Sequence, residues 1–504
     1  MHVLELQWIE PVTAMRRLSH RRHLTFLDSA SRHAVLGQYS YVTCDPFSTY
    51  IIADGRGICN GESIVGDPWA ALRAMLAKYP QMHRADLPAF QGGAAGFFGY
   101  ELNRTLERLP VPSIGGHRLP QALLHLYDVV ISFDHRHDRC WVLSTGWPEQ
   151  DPVRRRERAR RRAEEFVALI TVSAPPPDFT SGQAGSWHSN FSRQGYIAAV
   201  QRVIDLILSG DAFQVNIAQR FSARLANSFD PIAFYCQLRK MNPAPFAALL
   251  RYGKLTIASS SPERFLKLDG RQVETRPIKG TVARSADCEE DRRRAEALVD
   301  SEKDRAENTM IVDLLRNDLS RVCTPESVHV PSLCNLESYA SVHHLVSVVT
   351  GELTHGEDAV GLLRACFPGG SVTGAPKVRS MEIILDIERV AREVYCGAIG
   401  YIGFNGHMDV NIAIRTVTID DGQAVFHAGA GITAMSDPAA EYEESLAKAE
   451  RIFRAFIAED SGAHLDCHCR QLRLFRLQHC AIFPQAWCSN MCRPERRDGC
   501  ERTC

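Results

Sequence analysis

AIGYIGFNGHMDVNIAI, residues 398–414, decides how this chain folds. Two apolar runs suited to strands, 398–404 and 410–414, flank Asn405-Gly406, a dipeptide that readily adopts the left-handed conformations of a tight hairpin turn. Strands that return within a few residues pair antiparallel, because a parallel pair needs a crossover of about a dozen residues or more. The signal repeats at Asp420-Asp421-Gly422, between two further short runs. Across 187–458 such strands are interspersed with long amphipathic helices, which favours antiparallel sheet with packed helices over a βαβ series. The fold class expected is α+β: antiparallel β-sheets packed together and flanked by helices.

Outward from that stretch the chain divides into four regions. Residues 1–145 mix short strand-like runs, such as Tyr50-Ile51-Ile52-Ala53 and Tyr127 to Ser132, with glycine-rich turns. Residues 146–186 hold an Arg/Glu-rich helix, roughly Pro152 to Ile170, and the linker SAPPPDFTSGQAGS (173–186), where proline, glycine and serine stop regular structure. Residues 187–458 carry the strand and helix pattern described above. Residues 459–504 are rich in Cys and Arg without a sustained period, which predicts a poorly ordered tail; the pairs Cys488/Cys492 and Cys500/Cys504 leave a zinc module as the alternative.

Composition narrows the classes. Of 504 residues, 45% are hydrophobic and 23% charged, and the formal net charge of -1 gives no electrostatic reason to expect nucleic acid. The first thirty residues lack the apolar core of a secretory signal, and no apolar run reaches the roughly 18 residues of a membrane span. A soluble cytoplasmic protein is expected. Nine of the sixteen cysteines lie singly between Cys44 and Cys396, as buried thiols would in a reducing compartment.

Two motifs invite wrong readings. Gly57-Ile58-Cys59-Asn60-Gly61 imitates a glutaminase nucleophile elbow, but Ser63 stands where such enzymes carry Gln, and His355-Gly356-Glu357 lies almost 300 residues away. Gly369 to Lys377 imitates a phosphate loop, yet GxxxxGK needs lysine at 375 and finds Ala375, while Pro376 removes an amide the cradle would use.

The chemistry is carried elsewhere. In TRPIKGT (275–281), Pro277 fixes a turn, Gly280 permits close approach, and Lys279 is set between them. Sixteen residues earlier, Glu263 follows a Ser-Pro turn at the end of a strand-like run. Ser301 and Asp304 look like a capping box opening a helix through ENTMIVDLL, in which Glu307 shares a face with Ile311, Leu314 and Asp318 and points inward.

With these stretches the chain resembles the chorismate-utilising enzymes, the family of anthranilate, aminodeoxychorismate, isochorismate and salicylate synthases. SPERF, PIKGT, ENTMIVDLLRNDL, YASVHHLVS, GGSVTGAPK, YCGAIGY, NIAIRT, AGAGI and EYEESLAKAE occur in family order, strongly over about 190–455 and weakly over the first 145 residues. The resemblance implies roles. Lys279 corresponds to lysine in the aminodeoxychorismate branch and to alanine in anthranilate synthases, so it implies a nucleophile that attacks ring C2 of chorismate while the C4 hydroxyl leaves. Ammonia then attacks C4. A lysine amine with an ordinary value near 10.4 needs burial or a nearby cation to serve this role, and Arg276 is the cation expected to help. Glu263 is implied as the general acid and His344 as the histidine near the reacting ring, with His343 a bystander.

The same resemblance implies Mg2+ held by Glu307 and Glu444, with Asp304 and Glu441 orienting water around it. Periodicity disagrees for Glu444: in the helix begun by Asp437-Pro438 the apolar stripe is Tyr442, Leu446, Ala449 and Phe453, which puts Glu444 on the solvent side. Arg415 and Tyr395 are implied on the enolpyruvyl side, Lys448 and the Gly429 amide near carboxylates, and Ser371 and Thr281 near the ring. Gln214 stands where hydroxyl-transferring relatives carry a water-activating lysine, which points to ammonia. A tryptophan pocket, for inhibition or structure, is expected from Ser29, Tyr39, Ser40, Tyr41, Pro245 and Phe246. The activity implied is amination of chorismate to 4-amino-4-deoxychorismate, with a glutamine amidotransferase partner supplying ammonia. Anthranilate synthesis and a non-catalytic tryptophan- or chorismate-binding regulatory subunit are the alternatives.

Overall fold

A computed structural model describes residues 1–31, 36–114, 119–172, 184–339 and 342–457. The expected tail, with its CxxxC pairs, and most of the expected linker lie outside the described residues.

The opening hairpin forms as its sequence dictates. Ala398–Gly403 pairs with Met408–Ile412, from Ile402 opposite Met408 to Ala398 opposite Ile412, around a turn in which Gly406 has φ +83°. The second hairpin closes more tightly: Asp420 faces Gln423, so Asp421 and Gly422 alone make the loop, with φ +44° and +70°. Two positive φ values are what a turn matched to the right-handed strand twist requires.

Such hairpins assemble into two 12-stranded sheets whose strands pair antiparallel. One runs His2–Leu6, Arg139–Ser144, Val129–Asp134, Tyr39–Thr43, Leu24–Asp28, Phe246–Tyr252, Leu255–Ser261, Thr416–Asp420, Gln423–Ile432, Gln214–Arg224 and His188–Ser189, with the short Gly374–Ala375 strand beside Gln214. The other runs Ile278–Ala283, Val342–Glu352, Gln272–Arg276, Arg264–Asp269, Met408–Ile412, Ala398–Gly403, Gly93–Phe98, Ala122–Tyr127, Ser48–Ala53, Arg56–Cys59 and Glu62–Ile64, with His329–Ser338 beside Val342–Glu352. Strands from residues 1–145 complete both sheets, so the amino-terminal region shares its hydrogen-bond ladders with the rest.

Strand alternation distributes the core over three layers. Leu249, Ala258, Val417 and Phe426 of the first sheet pack under the Arg193–Leu208, Pro231–Met241 and Pro438–Ala455 helices. Leu266, Val410, Ala398 and Phe98 of the second pack against the Pro68–Leu76, Glu302–Ser320 and Ala359–Cys366 helices. Ala248, Leu250 and Ile257 meet Phe97, Leu123 and Ile399 between the sheets. All nine described cysteines are unbridged, and most are buried. Among the described residues no helix is long and apolar enough to cross a membrane.

Candidate active site

Lys279 is aimed by a bulge. Against Val342–Glu352, Lys279 faces Leu345 and Thr281 faces His344, so Gly280 is the extra residue, with φ +80°. Glycine takes that conformation without strain, and the bulge turns the strand at this point. A side chain at Gly280 would press on Leu298 and Asp304 at 3.0–3.1 Å. Pro277 occupies the gap between the two strands that pair with Val342–Glu352, and its carbonyl still accepts from Ser347 N–H at 3.1 Å.

The capping box forms: Ser301 Oγ accepts from Asp304 N–H at 3.3 Å, and the helix Glu302–Ser320 follows. Glu307 points inward as its periodicity predicts. Its Oε1 accepts from Lys279 Nζ at 2.7 Å and from Gln214 Nε2 at 2.5 Å. Asn308, which the sequence reading passed over, fastens this turn by donating to Leu345 O at 3.2 Å and accepting from Ser347 Oγ at 2.5 Å. Its neighbourhood in ENTM was the available signal.

The expected help from Arg276 does not materialise. Arg276 is ion-paired to Glu337, which also accepts from Tyr339 Oη at 2.8 Å. The immediate partner of Lys279 is therefore a carboxylate. Sequence proximity suggested Arg276; Glu337 lies 61 residues further on, where only the sheet brings it alongside.

Glu263 is 5% exposed, and burial pushes its carboxyl up to about 7 against the opposing pull of the Ser371 hydroxyl, Lys279, the Ile278 N–H and Arg415. A carboxyl with that value is substantially protonated at neutral pH, as a general acid must be. His344 is held neutral: burial, with Arg415 second, lowers it to about 3, while the Gly280 carbonyl opposes. Its Nδ1 meets Thr281 Oγ1 at 2.7 Å. His343 is occupied by Asp291 at 3.1 Å and Ser338 at 2.8 Å, in keeping with a bystander.

Arg415 and Tyr395 are delivered by strained backbone. Arg415 has φ +50° and Cys396, next to Tyr395, has φ +63°; for non-glycine residues this costs of order 1 kcal/mol and clusters at functional sites. Buried Glu101 accepts from the N–H groups of Arg392 and Glu393 at 2.8 and 2.9 Å, which fixes the turn presenting Tyr395. The Tyr395 ring stacks on His427 at 5.0 Å. Burial, then Arg451, lowers the Arg415 guanidinium to about 10. Among the described residues that guanidinium has no hydrogen-bond or ion-pair partner, which fits it to receive an anion. A small cleft beside it is lined by His344, Tyr339, Pro262, Asn242, Pro245 and Arg451. Arg451, missed in the sequence, follows Lys448 by three positions on one helix.

Glu444 is half exposed and paired with Lys448 Nζ at 2.8 Å. The periodic reading of its helix holds, with Tyr442, Leu446, Ala449 and Phe453 buried. Its surroundings are cationic: burial raises the Glu444 carboxyl, but Lys448, Lys303 and Lys279 together hold it below the ordinary range. Buried Glu441 accepts from Ser436 Oγ at 2.8 Å, lies 3.6 Å from Lys303 Nζ, and keeps Oε2 without a partner. Asp304 is engaged with Ser301 Oγ at 2.6 Å. Lys448 also donates to the Gly429 carbonyl at 3.1 Å, so the contact seen at Gly429 is through its oxygen.

No cluster of three or more His, Cys, Asp or Glu suited to a metal is found among the described residues. Glu307 and Glu444 nevertheless share Lys279 as a neighbour, since its Nζ donates to Glu307 at 2.7 Å and its charge helps hold Glu444 down. Carboxylates are hard oxygen donors, the ligand type that fits magnesium.

The expected tryptophan wall is only partly one surface. Ser29 Oγ donates to Tyr39 O at 2.6 Å, Ser40 Oγ accepts from Ser29 N–H at 2.9 Å, and Ser29 Oγ lies 3.4 Å from Pro245 O. Tyr41 lies 6.4 Å from the Tyr39 ring and also packs against Phe90 and Tyr401, and Arg264 covers the Phe246 ring at 4.9 Å. Both decoys are structural. Cys59 lies 3.9 Å from Met75 Sδ, and Lys377 is tied to Asp318 at 2.6 Å and to the Cys366 carbonyl at 2.9 Å.

A family model for chorismate binding enzymes matches residues 34–454. Aminodeoxychorismate synthase component 1 of Escherichia coli K12 is 40% identical over 461 residues, covering 90% of this chain and 98% of that protein. Anthranilate synthase component 1 of Thermus thermophilus is 38% identical over 90% of this chain and 96% of its own length. The crystal structure of anthranilate synthase component I from Streptococcus pneumoniae TIGR4 superposes with TM-score 0.74 at 32% identity, covering 84% of this chain and 94% of that one.

Proposed function

This chain belongs to the chorismate-binding enzymes, and from that premise we propose that its site aminates chorismate at C4 through a covalent adduct on Lys279. The protein is an enzyme that converts chorismate to 4-amino-4-deoxychorismate, on the route to p-aminobenzoate and folate. Identities of 40% and 38% to the two synthases barely separate the branches. Lys279 separates them. Anthranilate formation calls for no lysine nucleophile, and here one stands beside both Glu263 and Glu307.

Arg415, with no protein anion to bond it, takes a substrate carboxylate, and Tyr395 and His344 border the ring. Glu263 carries the proton that burial keeps on its carboxyl. Lys279 Nζ attacks C2; the ring double bonds shift, the C4–O bond breaks, and Glu263 gives its proton to the departing hydroxyl, which leaves as water. Ammonia then attacks C4, the double bonds shift back, and the C2–N bond to Lys279 breaks, restoring the lysine. The two displacements replace hydroxyl by amine at one carbon. Glu307 and Glu444 are the residues that would hold Mg2+, which when bound supplies positive charge for a substrate carboxylate.

Ammonia comes from a separate glutamine amidotransferase subunit in this reading. Cys59 abuts Ser48 and Met75, while His355 and Glu357 are engaged by Arg271 and Arg73, so these residues do not form a glutaminase triad. The tryptophan pocket belongs to the same reading at the meeting of Ser29, Tyr39, Ser40 and Pro245; a concentration-dependent rise in melting temperature with tryptophan, abolished by Ser40→Leu, supports it, and no rise refutes it. Incubation with chorismate, ammonium and Mg2+ tests the activity: aminodeoxychorismate supports it, and anthranilate overturns it.

A further inference from the structure

One buried arginine ties together three segments that carry site residues. Arg392 is 1% exposed and lies between the helix Lys377–Glu388 and the strand Ala398–Gly403. Its Nε donates to Glu388 Oε2 at 2.9 Å and its Nη2 to Glu388 Oε1 at 2.5 Å, a two-point pair across one helical turn. Glu388 Oε1 also accepts from Ala218 N–H at 2.8 Å. A buried ion pair adds little net stability over well-packed apolar side chains, because desolvation offsets the attraction. What this pair supplies that apolar packing cannot is direction.

The other donors of the guanidinium reach separate segments. Nη1 donates to Val372 O at 3.0 Å, beside Ser371, whose hydroxyl bonds the Glu263 carboxyl. Nη2 donates to Asn216 O at 2.8 Å, two residues along the strand from Gln214, whose amide donates to Glu307 at 2.5 Å. The guanidinium carbon lies 5.7 Å from the centre of the Tyr395 ring, and the Arg392 carbonyl accepts from Tyr395 N–H at 3.0 Å. The backbone N–H of Arg392 is held in turn by Glu101 at 2.8 Å. A planar fork with donors at fixed angles can bond one carboxylate and two carbonyls at once, whereas an ammonium on a flexible stem is a point charge.

The geometry points to Arg392, paired with Glu388, as a positioning residue that sets the spacing between the Ser371 turn, the strand begun by Gln214 and the Tyr395 ring, and so places Glu263, Glu307 and Tyr395 relative to one another. It acts through these segments and needs no contact with chorismate. The inference rests on the reading of this site as one that transforms chorismate, and adds to it a residue pair whose role is alignment.

The experiment is a single turnover of chorismate with ammonium, Mg2+ and the chain in excess, comparing the parent with Arg392→Lys. Lysine keeps a cation opposite Glu388 and loses the fork. A purely structural arginine would change the fraction of active chain, which moves the half-saturating protein concentration and leaves the limiting rate alone. A positioning arginine lowers the limiting rate itself. The expected fall is about 10- to 100-fold, since a misplacement of about 1 Å costs that much, with the melting temperature close to that of the parent. Asp128→Asn is the comparator: it weakens another inward pair, with Arg162 at 3.2 Å, and is to lower the melting temperature at an unchanged limiting rate. Where Arg392→Lys shows no cooperative melt, Arg392→Met combined with Glu388→Gln takes its place, because it removes both charges and keeps an oxygen for Ala218 N–H; the same fall in rate is expected. A parental limiting rate in the folded variant, or a change confined to half-saturation, overturns the positioning role. Anthranilate as the parent's product overturns the amination reading while the limiting rates still decide the role of Arg392, and a parent that consumes no chorismate overturns both.

Discussion

Replacing Glu263 by Gln removes one titrating carboxyl without changing its shape. The ordinary glutamate value is 4.5, and burial places Glu263 at about 7. Between these values the native chain holds a proton that the unfolded chain has lost, so the unfolded state binds fewer protons and stability falls as pH rises. Below pH 4.5 both states are protonated and nothing is lost. Above 7 both are ionised and the full differential applies, about 3 kcal/mol at 1.36 kcal/mol per pH unit. Glutamine does not titrate, so the stability of Glu263→Gln relative to the parent should rise by about that amount between pH 4.5 and 8. Buried Glu101, also raised to about 7 by burial, contributes the same slope to both proteins and cancels. Denaturation midpoints of the two proteins at half-unit pH intervals measure the difference. The same substitution should cut kcat by about 100- to 10,000-fold, the usual worth of a positioned general acid. Parallel stability profiles would show that Glu263 is ionised in the native protein, and the general-acid assignment would fail.

Arg415→Met should raise chorismate KM by roughly 10- to 100-fold, the worth of a charge-assisted pair, with the melting temperature little changed because no hydrogen bond or ion pair of the guanidinium is lost; steady-state kinetics check this. Gly431→Ala and Gly429→Ala should diverge although they lie two residues apart on one strand. At 431 the added methyl meets side-chain ends of Gln214 and Glu307, so activity falls while the fold survives; at 429 it meets the Ile217 carbonyl, so the strand pair is broken and the melting temperature drops. Circular dichroism melts beside turnover assays separate the two. Glu307→Gln and Glu444→Gln should each weaken the Mg2+ dependence of turnover, read as a rightward shift of the metal titration; an unshifted titration for both would remove them as ligands.

What was legible in the sequence was local. Asn405-Gly406 and Asp421-Gly422 are turn chemistry that strands cannot override, and Ser301 and Asp437 cap their helices from side chains within three residues. The inward face of Glu307 follows from helical period alone. Glu444 shows the limit: period correctly put it off the apolar stripe, but could not say that Lys303 and Lys279 stand opposite, because those belong to other elements. The partner of Arg276 was illegible for the same reason. So were the interleaving of the amino-terminal strands into both sheets and the pairing of Asn216 with Gly431, since register between strands some 200 residues apart is set by the assembled sheet.

The most direct test of the central claim is mass spectrometry of the chain quenched with chorismate and Mg2+ in the absence of ammonium, followed by addition of ammonium. The account predicts a modification equal to chorismate less water on the peptide carrying Lys279, its discharge as 4-amino-4-deoxychorismate when ammonium is added, and neither event in Lys279→Ala. Aminated product from Lys279→Ala at the parental rate would contradict it.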